Sequence, residues 1–445
     1  MQNTNQRLLH KTLITLSASI LLLGIGTITG ILTARLLGPE GKGQLTAIMI
    51  WPMMLASVGS LGLKEAIKYY TSIQTDQRKY IYANSIYFAL IQSFILVGIG
   101  FLIVNYVHQE SGENIIKAGR YFLLFIPLNL LNLYQNNFIA GRSDFRIYNL
   151  LRSIVSFSIL IGIVFLALTG RMSVFNAVVV YLISNFLTTL ANFYYTYRTK
   201  EVGFKASKDL AYPMLTYGLK SHTGNVGTML NERLDQLLIS LFLIPAQLGY
   251  YAVAVTLSAG VLLIGNSMSL VAMPVIASQK TLSAKKAIFK KFFRSSFWLS
   301  ILCAGFFVLL MPEFVRLLFG SDFSPAINVA RLIAVATVIL AMNRVLQAGL
   351  KAINQPLDAG ISEIFALTAT VVLLLILLPI LGILGAAIAS FIAYLISFSY
   401  MVYKVTQKLE FKLHELFVIR FKDLNFIKEE IIQPIKSKHA NRDII

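Results

Sequence analysis

Apolar runs of about twenty residues recur along almost the whole of this 445-residue chain. They constrain its fold more than any other feature. As a helix, each run is long enough to cross a hydrocarbon core of about 30 Å. No water is available there, so backbone N–H and C=O groups must pair within the protein, which leaves helices or closed barrels. A barrel would alternate apolar and polar residues in segments of about ten, and these runs do not alternate. Hydrophobic residues make up 56% of the chain and charged residues 13%, against about 25% charged in a soluble domain. The expected class is an all-α polytopic membrane protein. Twelve spans fit, at 12–37, 44–70, 81–107, 118–140, 147–169, 174–197, 212–243, 246–273, 291–311, 325–350, 358–379 and 382–404. The first follows Arg7, His10 and Lys11. Its apolar stretch is too long for a signal peptide and lacks a small-residue cleavage site, so it reads as a retained span.

Basic residues set the orientation, because short cytoplasmic loops are enriched in Lys and Arg. With the N-terminus inside, 26 basic residues fall in cytoplasmic segments and 5 (Lys42, Lys117, Arg120, Arg171 and Arg316) in outer ones. Both termini are then cytoplasmic. The bias accounts for most of the net charge of +19 without a nucleic-acid partner. The single cysteine, Cys303, lies in an apolar run and excludes a disulfide within the chain or a thiolate metal cluster.

An internal repeat is visible. "LGPEGKGQLTA" after span 1 matches "LIPAQLGYYAV" after span 7, with Pro39 on Pro245 and Gly43 on Gly249, an offset of 206. Two six-span halves in one orientation are a transporter layout. The expected organisation is a lobe at 1–203, a lobe at 204–405 and a basic cytoplasmic tail at 406–445, with a cytoplasmic linker at 198–209. In the tail, Leu413, Leu416, Phe417, Leu424, Ile427 and Ile431 have near-helical spacing among basic residues. That pattern reads as an interfacial helix on the anionic inner leaflet.

Enzymatic motifs are missing. "GPEGKG" lacks phosphate-loop spacing and follows no strand, and the five histidines have no metal-ligand spacing. No catalytic residue, metal ligand or cofactor site is expected. The informative residues are the charges inside spans, each costing at least about 2.5–3.5 kcal/mol at the bilayer centre. Arg152, Arg331, Lys68 and Glu363 read as snorkelling or structural pairs. Arg35, Lys64, Lys220 and Arg344 are candidate ligand-facing cations. The stretch "NERLDQ" places Glu232, Arg233 and Asp235 near the midplane of span 7. On a continuous helix Glu232, Asp235 and Gln236 share a face, and Arg233 stands about 200° from Asp235. Each then needs a partner elsewhere: another helix, water or substrate. The matching first-half positions are Gly26, Thr27 and Thr29, so these charges belong to one half only. Pro52, Pro127 and Pro274 are expected to kink helices.

The stretch "ILTARLLGPEGKGQLTAIMIWPMMLASVGSLGLKEAIKYY" at 31–70 resembles the start of Wzx-type oligosaccharide flippases. These are polysaccharide-biosynthesis membrane proteins of the multidrug/oligosaccharidyl-lipid/polysaccharide exporter superfamily. "RLDQLLISLFLIPAQLGYYAVA" at 233–254 and "MPEFVRLLFGSDFSPA" at 311–326 look like theirs too. The resemblance covers about 1–405. It implies two six-helix lobes around a central cavity, and movement of an undecaprenyl-pyrophosphate-linked oligosaccharide from the inner to the outer leaflet. Arg35, Lys64, Lys220, Arg233 and Arg344 would then meet the anionic head. Glu232 and Asp235 would couple a proton or sodium ion, or hold Arg233 as a structural ion pair. A polysaccharide polymerase and glycosyltransferases are the further partners implied. The alternatives are a multidrug/cation antiporter of the same superfamily, which would favour an acidic cavity, a lipid II flippase, and a non-transport scaffold or polymerase.

Overall fold

The computed structural model describes residues 2–107, 112–223 and 226–418, with side chains from Ser17 on and without that of Thr223. Among these residues there is no β-strand. Two compact units form. The first comprises Met1–Thr256, Phe314–Ala326 and Leu378–Ile383; the second comprises Leu257–Glu313, Ile327–Leu377 and the chain from Leu384 on.

The first unit holds α1 (Gln2–Gly59), α2 (Leu63–Ile73), α3 (Arg78–Val107), α4 (Glu113–Phe122), α5 (Phe125–Gly141), α6 (Phe145–Leu168), α7 (Val174–Arg198), α8 (Lys208–Thr223), α9 (Val226–Asn231), α10 (Leu234–Phe242) and the start of α11 (Pro245–Ala277). The second holds the rest of α11, most of α12 (Leu282–Phe314), α13 (Ala326–Ala352) and α14 (Pro356–Leu409), and α15 (His414–Phe417). Eight helical stretches among the described residues are long and apolar enough to cross a membrane. Ser17–Gly59 holds the first expected span and the start of the second, which breaks after Gly59 and continues as α2, and Pro356–Leu409 holds the last two. The other two expected spans, 118–140 and 212–243, are present as broken helices. The helices thus follow the order of the expected spans. Phe94 and Leu168 are 85% and 84% exposed, as suits side chains that face lipid.

The turns differ from expectation in a way the backbone explains. Gly38 alone is non-helical inside α1, at φ 68° and ψ 179°, a region open essentially to glycine. The expected turn 38–43 therefore shrinks to one residue, and Pro39 begins the next helix at once, where a missing N–H costs nothing. Gly382 plays the same part inside α14.

The repeat has a physical counterpart. A Cβ on Gly43 would fall onto the Pro245 carbonyl, and a Cβ on Gly249 would fall onto the Pro39 carbonyl. The two matched Pro-Gly segments thus pack reciprocally, backbone on backbone, as small residues permit in membranes. Nearby, Trp51 Nε1 donates to Ser240 Oγ at 3.2 Å.

Two apolar clusters organise the first unit. Leu63, Ile67, Ile81, Leu130, Tyr134 and Phe138 join α2, α3 and α5. Leu45, Ile48, Phe122, Phe125 and Ile163 join α1, α4, α5 and α6. Between α5 and α7 lies a buried polar seam, in which Asn132 Nδ2 donates to the Asn185 carbonyl at 3.1 Å and Asn192 Nδ2 to Asn132 Oδ1 at 3.2 Å. The 198–209 linker is tied down. Glu201 accepts from Arg78 at 3.2 Å and from Arg142 at 2.8 Å, and the Asn84 amide pairs with both backbone groups of Ser207.

The second unit packs Phe289, Phe292 and Phe293 of α12 against Met342, Val345 and Leu346 of α13. Leu416 of the tail is fully buried in this cluster. Phe417 sets its ring edge-on to Phe293 and Phe297. Leu416 and Phe417 thus pack on protein, while Leu413 stays exposed. Leu424, Ile427 and Ile431 lie outside the described residues. Lys290 Nζ meets Glu415 Oε2 at 2.7 Å, Arg294 Nε donates to the Glu415 carbonyl at 2.9 Å, and Trp298 Nε1 donates to the Phe417 carbonyl at 3.3 Å.

The Lys290 hydrogen bond, with help from the Lys412 N–H, holds the Glu415 carboxyl down at about 2. A depressed pKa stabilises docking fully above the unfolded value of about 4.3, and that contribution is lost as pH falls through the folded value. In a Trp51→Phe protein, Trp298 emission is therefore expected to stay constant from pH 8 to 5 and to shift red only on strong acidification. Glu415→Gln should remove the acid-dependent part of that shift.

Candidate functional site

The site begins where span 7 fails to remain one helix. Its sequence is apolar on both sides of "NERLDQ", but the hydrogen-bond ladder stops at Asn231 and restarts at Leu234. Glu232 and Arg233 form the turn between, with the Arg233 N–H on the Leu230 carbonyl at 3.1 Å. The single-face arrangement expected for Glu232, Asp235 and Gln236 is corrected accordingly. Glu232 and Arg233 are exposed, whereas Asp235 and Gln236 are buried. The turn leaves Glu232 and Arg233 exposed and lets Asp235 turn into the protein.

Asp235 finds them within the first unit. Tyr251 of α11 donates its hydroxyl to Oδ2 at 2.5 Å, and the Gln236 N–H donates to Oδ1 at 2.7 Å. Asp235 is thus a hydrogen-bonded buried carboxyl group that joins the start of α10 to α11.

A second break lies in the same unit. α1 ends at Gly59 and α2 begins at Leu63, with Leu61 and Gly62 at positive φ. The Tyr134 hydroxyl donates to the Ser60 carbonyl at 3.1 Å across this break. Discontinuous helices that expose backbone at membrane depth are a recurrent way to build ligand sites in transporters. Lys64 stands in the first turn of α2, half-buried. α2 packs along α8, which carries Lys220 in its last turn, exposed. Gly62 meets Gly218 at the crossing, where a Cβ on Gly218 would stand 2.9 Å from the Leu61 carbonyl oxygen. His222 of α8 is buried beside this contact, a packing position.

Of the five candidate cations, four lie in the first unit: Arg35 on α1, exposed; Lys64; Lys220; and Arg233. Lys64 and Lys220 are brought onto packed helices. Arg344 lies on α13 in the second unit, half-buried.

Three of the four charges expected to snorkel or pair have local partners. Arg331 Nε donates to the Val308 carbonyl at 3.2 Å, Arg152 lies 5.3 Å from the Tyr148 ring centroid, and Glu363 is buried and accepts from Gln347. Lys68 is exposed on α2. Sequence reasoning missed the Asp235–Tyr251 bond, the buried Arg294 and the Tyr69–Tyr217 stack, whose centroids are 4.6 Å apart. Tyr251 and Tyr69 lie inside quoted stretches, but nothing in the sequence pointed to their partners. Cys303 is half-buried. Among the described residues, no group of three or more His, Cys, Asp or Glu converges as a metal site.

A family profile described as "Polysaccharide biosynthesis protein" matches residues 32–328. No curated protein matches the chain significantly. Solved structures share its fold. The lipid II flippase MurJ, in an inward closed conformation, superposes with a TM-score of 0.74 at 17% identity, over 97% of this chain and 99% of that one. An inward-facing multidrug resistance MATE transporter of the MOP superfamily gives 0.72 at 14% identity, over 87% and 94%. A MOP superfamily transporter from Pyrococcus furiosus, described as having a binding pocket of reverse polarity, gives 0.57 at 17% identity, over 90% and 95%. At these identities the likeness establishes the fold.

Proposed function

Because the chain belongs to the polysaccharide biosynthesis protein family, we propose that it is a flippase that carries undecaprenyl-pyrophosphate-linked oligosaccharide from the inner to the outer leaflet of the bacterial cytoplasmic membrane. The six-span halves 1–203 and 204–405 rock between inward-open and outward-open states, with both termini cytoplasmic. A polysaccharide polymerase and glycosyltransferases work alongside it. It acts as a transporter and not as an enzyme.

The observation that carries this reading is the charge at the broken helices. Arg35, Lys64, Lys220 and Arg233 are exposed or half-buried on helices of one unit, while Asp235, close to Arg233 in the chain, is buried and hydrogen-bonded. Ammonium and guanidinium groups replace the hydration that a pyrophosphate loses on entering a low-dielectric site. Arg344 is a fifth contact to the head. Glu232 and Asp235 couple an ion or position Arg233. An exporter of cationic drugs would need the opposite balance.

The test is reconstitution in liposomes with a labelled lipid-linked oligosaccharide. Arg233→Ala is expected to abolish flipping while the protein inserts and elutes as wild type does. Normal flipping by a stably inserted Arg233→Ala protein sinks the assignment, and uptake of a cationic dye in its place supports the multidrug reading.

A further inference from the structure

We propose that Tyr69 and Tyr217, stacked between α2 and α8, are a saccharide-binding platform, and that Lys64, Lys68 and Lys220 around them take the attached phosphate. This rests on the reading of the cargo as a lipid-linked oligosaccharide and names how its sugar is recognised.

The platform is built by the helix crossing. Gly62 and Gly218 bring α2 and α8 to backbone contact, so side chains projecting from the two helices beyond that point must meet. Tyr69 and Tyr217 meet face to face, with centroids 4.6 Å apart and planes within 8°. Tyr70 braces the pair edge-on, at 5.3 Å from Tyr69 and 6.1 Å from Tyr217. The rings are therefore held rigid before any ligand arrives. Even so, Tyr69 is 42% exposed and Tyr217 37%. The Phe122–Phe125 stack of the same unit is buried, whereas the tyrosine pair stays open to its surroundings.

The charge near the rings is net basic, with Glu65 of α2 as the acid against Lys64, Lys68 and Lys220. Lys64 and Lys68 are one turn apart on α2, and Lys220 follows Tyr217 by three positions, on the same side of α8. An aromatic face carries a negative quadrupole and attracts the weakly positive C–H face of a pyranose ring. Ammonium groups alongside attract phosphate oxygens. A sugar phosphate presents both features at the distance of one glycosidic bond, whereas a phospholipid headgroup or free phosphate offers only the second.

Binding to the purified full-length chain separates these cases, with two probes: undecaprenyl pyrophosphate, and the same lipid carrying one N-acetylglucosaminyl residue. Tyr69→Leu and Tyr217→Leu are each expected to weaken the sugar-bearing probe by about tenfold and to leave the bare pyrophosphate unchanged. Tyr217→Phe, which keeps the ring, should bind both probes as wild type does. Lys64→Gln and Lys220→Gln should weaken both probes together. If the leucine variants bind both probes normally, or lose both equally, the tyrosines are interfacial anchors and the platform is refuted. If wild type binds neither probe, the cargo assignment itself fails, and the platform with it. Should the leucine variants not fold, saturation transfer from aromatic protons of the wild-type protein to the sugar C–H protons decides. Transfer supports the platform, and its absence overturns it.

Discussion

Gly43→Val and Gly249→Val are each expected to leave no folded, monodisperse protein. A side chain at either position would occupy the space of a carbonyl in the opposite segment, Pro245 or Pro39. Backbone on both sides prevents relief by a rotamer change, so the cost should exceed the roughly 1–3 kcal/mol of ordinary overpacking. Gly98→Ala is the control, because a Cβ on Gly98 meets nothing within 4 Å. That variant should be neutral or slightly stabilising, since alanine is the better helix former. Thermal melting in detergent, read by size-exclusion profile, distinguishes the two. Wild-type-like melting of Gly43→Val would show that the reciprocal contact can open at no cost.

The second large effect concerns Asp235. Asp235→Asn keeps the side-chain volume and one good acceptor, so it should cost about 1 kcal/mol of stability. Asp235→Leu should cost more, because it leaves the Tyr251 hydroxyl without its buried acceptor. If Asp235 couples an ion to transport, the Asn variant folds yet flips substrate at the same rate with and without an ion gradient. An Asn variant that still responds to the gradient assigns Asp235 to the Tyr251 contact alone. Comparing the two substitutions in one liposome assay separates folding from coupling.

Both predictions start from residues that the sequence already singled out, and the structure treated them differently. The 206-residue offset matched Pro39 to Pro245 and Gly43 to Gly249, and these are the residues that touch. A repeat of this kind is readable because both copies keep the small residues that close helix packing demands. The "NERLDQ" stretch was equally conspicuous, but its geometry was not. A helical wheel joins Glu232 to Asp235, whereas the chain breaks between them. Helical spacing assumes the helix continues, and here it does not.

The sequence by itself determined the class and the order of the apolar segments. Hydropathy and charge are local properties, and a bilayer selects on them segment by segment. Only the tertiary structure decided which polar residues meet. Glu201 binds Arg78 from 123 positions away, Tyr69 stacks on Tyr217 across two helices, and Glu415 docks on α12. Inside a membrane such pairings come from close packing of backbones and from the need to satisfy each buried polar group. Neither leaves a periodic trace along the chain.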